Sequence, residues 1–175
     1  MNADPFSDEM IDRVYRAARL MYMLQDPLSG SVPVFGQYDG SLILPLNVCN
    51  FQDFRPVIQL VFCVTQERRI YPDGLWNEDL VWLARHRLAQ KPAEAPTRSD
   101  WTASSSGYTL LRNTSGFVFA RCGQFAHRPS HADQLHVDVW WKGQNIALDP
   151  GTYSYNATSP WNNPLAETRY HNTVT

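Results

Sequence analysis

Hydrophobic and polar positions repeat along this chain with two different periods, and the change from one to the other divides it. Over the first half the period is helical. Ser7 is placed to cap a helix whose first turn carries Asp8 and Glu9, and Ile11, Val14, Ala18 and Met21 follow at the spacing of one helix face. Pro27 and the Ser29-Gly30 pair end it. Ser31 to Asn50 reads as a loop with a turn at Tyr38-Asp39-Gly40. A second helix is predicted from Asp53, with Val57, Leu60, Val61 and Val64 on one side. Pro56 falls in its first turn, where a missing N–H costs little. A third spans about Asn77 to Leu88, with a stripe of Leu80, Leu83, Ala84 and Leu88.

Gln90 to Ser106 is rich in Pro, Ala and Ser and reads as a linker. Beyond it the period becomes two. Tyr108 to Arg112 and Phe117 to Cys122 flank Asn113-Thr114-Ser115-Gly116 as a hairpin. From Gln134 to Trp141, Leu135, Val137, Val139 and Trp141 face one way, and His136, Asp138 and Trp140 the other. A turn at Lys142-Gly143-Gln144-Asn145 leads to a return strand at Ile146 to Leu148. Short turns between successive strands predict an antiparallel sandwich, for which these strands are too few. The expected organisation is therefore α+β: residues 1–91 helical, 92–106 a linker, and 107–175 the opening strands of a truncated sandwich.

Composition narrows the function classes. With 43% hydrophobic and 18% charged residues the chain is globular, and a net charge of −2 without a basic stripe argues against nucleic-acid binding. Six Trp and eight Tyr suit carbohydrate platforms, and equally cores and interfaces. Cys49, Cys63 and Cys122 form no CxxC pair and no even set, so they read as buried thiols rather than a disulfide framework. The N-terminus has neither a basic nor an apolar signal region, and no apolar run approaches a membrane-spanning length. The N-x-S/T triplets at Asn113 and Asn156 are too short to indicate secretion.

Candidate chemistry is concentrated near the end. His127, His131, Asp133, His136, Asp138, Asp149 and His171 supply imidazole nitrogens and carboxylate oxygens, the donors that zinc prefers. His131 precedes a strand and Asp149 follows its hairpin partner, which brings the two together. The plainer reading is an ordinary turn at Asp149-Pro150-Gly151, with His136 and Asp138 on the solvated face of a strand.

His131-Ala132-Asp133-Gln134-Leu135, Trp141-Lys142-Gly143, Asp149-Pro150-Gly151-Thr152-Tyr153-Ser154-Tyr155 and His171-Asn172-Thr173-Val174, in that order, resemble the signature of the heparinase II/III-like polysaccharide lyases. Heparin, heparan and alginate lyases belong to this family. The resemblance implies that the helical half is the end of an (α/α) toroid, with Gly36-Gln37-Tyr38-Asp39-Gly40 similar to a turn near the toroid's end. It further implies a structural zinc ion held by His131, Asp149 and His171, with Asp133 or Asn172 as outer hydrogen-bond partners. The implied activity is β-elimination on a uronic-acid-containing polysaccharide, in the bacterial periplasm or at the cell surface. Tyr153, Tyr155 and Trp161 are the candidates for sugar contact, and His127 and Tyr155 for proton transfer. The sequence departs from the family at Pro129, where several members carry a histidine that acts on substrate. That departure sets beside the lyase a non-catalytic protein of the same fold that holds acidic glycan.

Overall fold

A computed structural model describes residues 6–36, 38–84, 93–124 and 129–174. They form two compact units, one of Met1–Gln25, Gly30–Val32 and Leu42–Thr97, the other of Asp26–Ser29, Pro33–Ser41 and Arg98–Thr175. The class is α+β: three α-helices in the first unit and a five-stranded antiparallel sheet in the second, among the described residues.

In the helical unit α1 (Asp8–Leu24) starts as expected, with Ser7 Oγ accepting from the Met10 N–H at 3.3 Å. Its buried face is turned from the predicted one. Val14 is half exposed, and the ring of Tyr15 instead meets Phe62 edge-on at 5.3 Å, one face with Ala18 and Tyr22. Aromatic rings remove more apolar area from water than a valine does, so they win the interior.

The same correction applies to α2 (Arg55–Gln66), which buries Ile58, Gln59, Phe62 and Cys63 and leaves Val57 and Val64 exposed. This helix is apolar on nearly every side, so hydrophobic spacing alone does not single out a face. A buried glutamine disguises the true one. Gln59 Oε1 accepts from the backbone N–H groups of Ile70 and Tyr71, and its Nε2 donates to Tyr71 O and Asn77 Oδ1. Gln25 is satisfied likewise, donating to Gly30 O at 2.9 Å and accepting from the Tyr71 hydroxyl. One turn of 3₁₀ helix, Leu75–Asn77, leads into α3 (Glu78–Leu83). Leu80 and Ala84 pack with Cys63 as predicted, Leu83 is half exposed, and Leu88 lies outside the described residues.

The sheet unit is a meander of β1 (Trp101–Ala103), β2 (Tyr108–Arg112), β3 (Gly116–Arg121), β4 (Val137–Trp141) and β5 (Gln144–Ala147). Strand β1 lies inside the stretch read as linker; three residues are too few for alternation to show. Gly107, at φ +70°, closes the β1–β2 turn so tightly that a Cβ there would lie 1.9 Å from Cys122 O. The β2–β3 hairpin forms where expected, and Asn113 Oδ1 accepts from the N–H groups of Ser115 and Gly116.

In β4 the alternation is as predicted but its sides are reversed. His136, Asp138 and Trp140 are buried, whereas Leu135 and Trp141 are about half exposed. The inward face grades from apolar to charged. Arg112, Phe117 and Trp140 form one row across the strands, with the last two rings stacked at 5.6 Å. Leu110, Phe119 and Asp138 form the next, and Tyr108 and Arg121 pair beyond it. Phe35 packs on this face against Tyr108 and Phe119, at 6.0 and 5.9 Å. Residues 33–41, grouped by sequence with the helical half, thus belong to the sheet unit. The expectation of three buried thiols holds only for Cys63; Cys49 is partly buried, Cys122 is exposed, and all three are free.

Candidate metal centre

The charged end of the sheet's inward face carries the site. A turn ahead of β4 places Leu135 at φ 63°, a left-handed conformation that costs a branched residue roughly 1 kcal/mol or more. This turn, closed by the His136 N–H on Asp133 O at 3.1 Å, points His136 inward. Beyond β5, Asp149 turns back on itself, its Oδ1 accepting from the Gly151 N–H at 2.9 Å. Gly151 is required there: φ is +67°, and a Cβ would lie 3.0 Å from Tyr38 O. Tyr38 O also accepts from the Thr152 N–H at 2.9 Å, so the 33–41 segment braces the Asp149 loop. A 3₁₀ turn, Thr168–Tyr170, delivers His171.

Arg121, 5% exposed, ties the acids together. Its Nη1 donates to Asp133 Oδ2 at 2.8 Å and its Nη2 to Asp149 Oδ2 at 2.6 Å. Asp149 Oδ2 also stands 3.5 Å from His171 Nδ1. Ligand atoms of His136, Asp149 and His171, all buried, lie within 4.8 Å of one another. The His131 ring is adjacent, 5.6 Å from that of His171 between centroids, and its Nε2 lies 3.1 Å from Thr152 Oγ1.

Two observations bear on whether a cation fits. Three carboxylates, Asp133, Asp138 and Asp149, are buried beside one buried guanidinium, which reaches only Asp133 and Asp149. Desolvation lowers the pKa of His171 against the opposing pull of Asp149, which keeps that ring neutral and a donor of lone pairs. Buried carboxylates in excess of their guanidinium favour a cation beside them. In addition, His131 Nδ1 and both nitrogens of His171 are buried without a hydrogen-bond partner. Buried donors and acceptors are seldom left so. The residues therefore fit a divalent metal, with imidazole and carboxylate donors of the borderline kind that zinc takes.

Residues 95–175 match the family described as heparinase II/III-like, C-terminal. This part of the chain is similar to that family. Two solved structures titled "Heparinase III-BT4657 gene product", one of them with methylated lysines, share its fold with a TM-score of 0.65 and 18% identity. Each match covers 97% of this chain and 24% of the other, so the chain spans about a quarter of their length. No curated protein matches the chain.

Of the three residues proposed as ligands, Asp149 and His171 converge, with His136 as the third member of that group, and His131 stands beside it against the His171 ring. His136, named in the candidate cluster but not among the implied ligands, is buried, so its plainer reading as part of a solvated face fails. The residue that sequence reading missed is Arg121, which the motifs do not mark. Of the expected outer partners, Asp133 binds Arg121, and the Asn172 N–H donates to His136 Nδ1 at 3.2 Å. Tyr153 and Trp161 are both well exposed and meet edge-on at 6.1 Å. The Tyr155 hydroxyl donates to Asp39 Oδ2 at 3.1 Å, and desolvation together with this bond and the Asp39 charge raises its pKa. His127 lies outside the described residues. A cleft of about 370 Å³ beside the cluster is lined by Tyr108, Arg121, Pro129, His131, Asp133 and Gln134, among others. No described helix is long and apolar enough to cross a membrane.

Proposed function

We propose that this chain is part of a polysaccharide lyase that cleaves uronic-acid-containing polysaccharide by β-elimination, with a structural zinc ion held by His131, Asp149 and His171. The observation that carries this reading is the buried His/Asp cluster, short of hydrogen-bond partners, inside a segment that matches the heparinase II/III-like C-terminal family. Bound zinc would supply the missing positive charge and order the Asp149 and His171 loops. It takes no part in the elimination itself.

In that reaction a base removes the proton on C5 of the uronate, the electron pair forms the C4–C5 double bond, and the glycosidic C4–O bond breaks. An acid then protonates the departing oxygen. Tyr155 is the candidate for the acid's role: its phenol is protonated at neutral pH, and Asp39 orients it. Tyr153 and Trp161 offer an exposed aromatic edge on which a sugar ring can rest. Acidic polysaccharide is the partner this chemistry selects, and the periplasm or cell surface is where such a substrate is met.

A second reading, a glycan-binding protein without catalysis, is favoured by Pro129. It lines the cleft where a titratable side chain would serve the elimination, and proline neither gives nor takes a proton. Incubating the intact protein with uronate polymers, and following absorbance of the unsaturated product, separates the two. Product from any polymer supports the lyase; binding to a polymer without product supports the second reading.

A further inference from the structure

His136 lies within reach of Asp149 and His171, yet its Nδ1 lone pair is already committed. Nδ1 accepts the Asn172 backbone N–H at 3.2 Å, so it carries a lone pair and no proton. The ring's hydrogen therefore sits on Nε2, which stands 3.3 Å from Asp138 Oδ2 without a hydrogen bond between them. Asp138 is steadied in turn, its Oδ1 accepting from Asn145 Nδ2 at 3.0 Å. His136 and Asp138 are both fully buried. A metal-binding imidazole needs one free lone pair, and this ring has none to give without breaking a bond.

What the ring holds is the loop that presents His171. Besides its N–H on His136, Asn172 accepts the Val137 N–H at 3.1 Å and donates from Nδ2 to Val137 O and Leu148 O. The His171 ring then stands edge-on to His136, 5.4 Å between centroids.

We propose that His136 is a positioning residue that fastens the His171 loop to β4 through Asn172, and that it is not itself a metal ligand. The role assigned to His171 rests on the metal-centre reading; the tautomer and contacts of His136 do not.

The test begins on the unmutated protein with ¹⁵N-labelled histidine, where long-range proton–nitrogen correlation reads the tautomer. The expected result is an Nε2–H ring for His136, unchanged between chelator-treated and zinc-loaded samples. A proton on Nδ1, or a nitrogen shift at His136 on adding zinc that marks coordination, overturns the proposal.

Variants give a second readout. Asparagine places an oxygen near where Nδ1 stands and is a poor zinc ligand. His136→Asn should therefore keep Asn172 amide-exchange protection and hold zinc within about tenfold of the unmutated affinity, while His136→Leu loses both, with affinity down roughly 10–100-fold. Equal loss of zinc in His136→Asn and His136→Leu, to the level of His171→Ala, contradicts the positioning role. If the unmutated protein binds no zinc, the metal reading fails, and the tautomer and Asn172 exchange still decide this proposal.

Discussion

Each unit of the molecule buries a polar cluster, and the two clusters differ in how completely they satisfy themselves. Around Gln59 in the helical unit, both amide atoms of the glutamine have two partners, and Gln25 and Tyr71 close the network. Around Asp149 in the sheet unit, carboxylates outnumber guanidinium groups, and His131 Nδ1 and both nitrogens of His171 lack partners. Burying a polar group is tolerable when its bonds are replaced and costly when they are not. The first cluster is therefore complete as folded and serves structure. The second is complete only with something added.

The largest effect that would sharpen this contrast is at Arg121. Replacing it by methionine leaves Asp133 and Asp149 buried without their guanidinium, and chelator-treated protein should lose about 3–5 kcal/mol, measured by denaturant midpoint. A change under about 1 kcal/mol would mean that the carboxylates are not held as charges. Next is Gln59→Leu, which strips the acceptor from two buried N–H groups. It should cost roughly 2–4 kcal/mol with no dependence on added metal. Metal-dependent stability in this variant would blur the distinction between the clusters.

A smaller effect comes from protons. The folded pKa of His171 lies below the ordinary 6.5, so below that value the unfolded chain takes up a proton that the native ring refuses. Stability of the metal-free protein is whole above pH 6.5 and is lost as pH falls through the lowered pKa, with a slope from this group of at most about 1.4 kcal/mol per pH unit. His171→Gln should flatten that part of the pH profile; an unchanged slope would assign the proton to another group. Smallest is Trp161→Ala. Its exposed ring predicts a stability change within about 0.5 kcal/mol, together with weaker binding of uronate oligosaccharide in a titration. Unaltered binding would remove Trp161 from the proposed platform.

Element type was legible in the sequence, because helical and alternating periods survive any choice of face. The α1 cap, the Asn113 hairpin and the alternation in β4 were all readable. Which face lies inward was not, and the reason is common to α2 and β4: each buries polar side chains, Gln59 in one and His136 with Asp138 in the other. A pattern of apolar residues points away from such a face. The order of His131, Asp149 and His171 along the chain was readable from motifs, but Arg121 and His136 enter the cluster only through register across β3 and β4. Strand β1 was too short to announce itself.

The most direct test of the claim that the sheet cluster is a metal centre is elemental analysis of the purified intact protein beside His131→Ala and Gln59→Leu. The expected result is about one zinc per chain in the unmutated protein and in any folded Gln59→Leu, and none in His131→Ala. A protein that carries no divalent metal, and takes up none when zinc is supplied, would contradict the account.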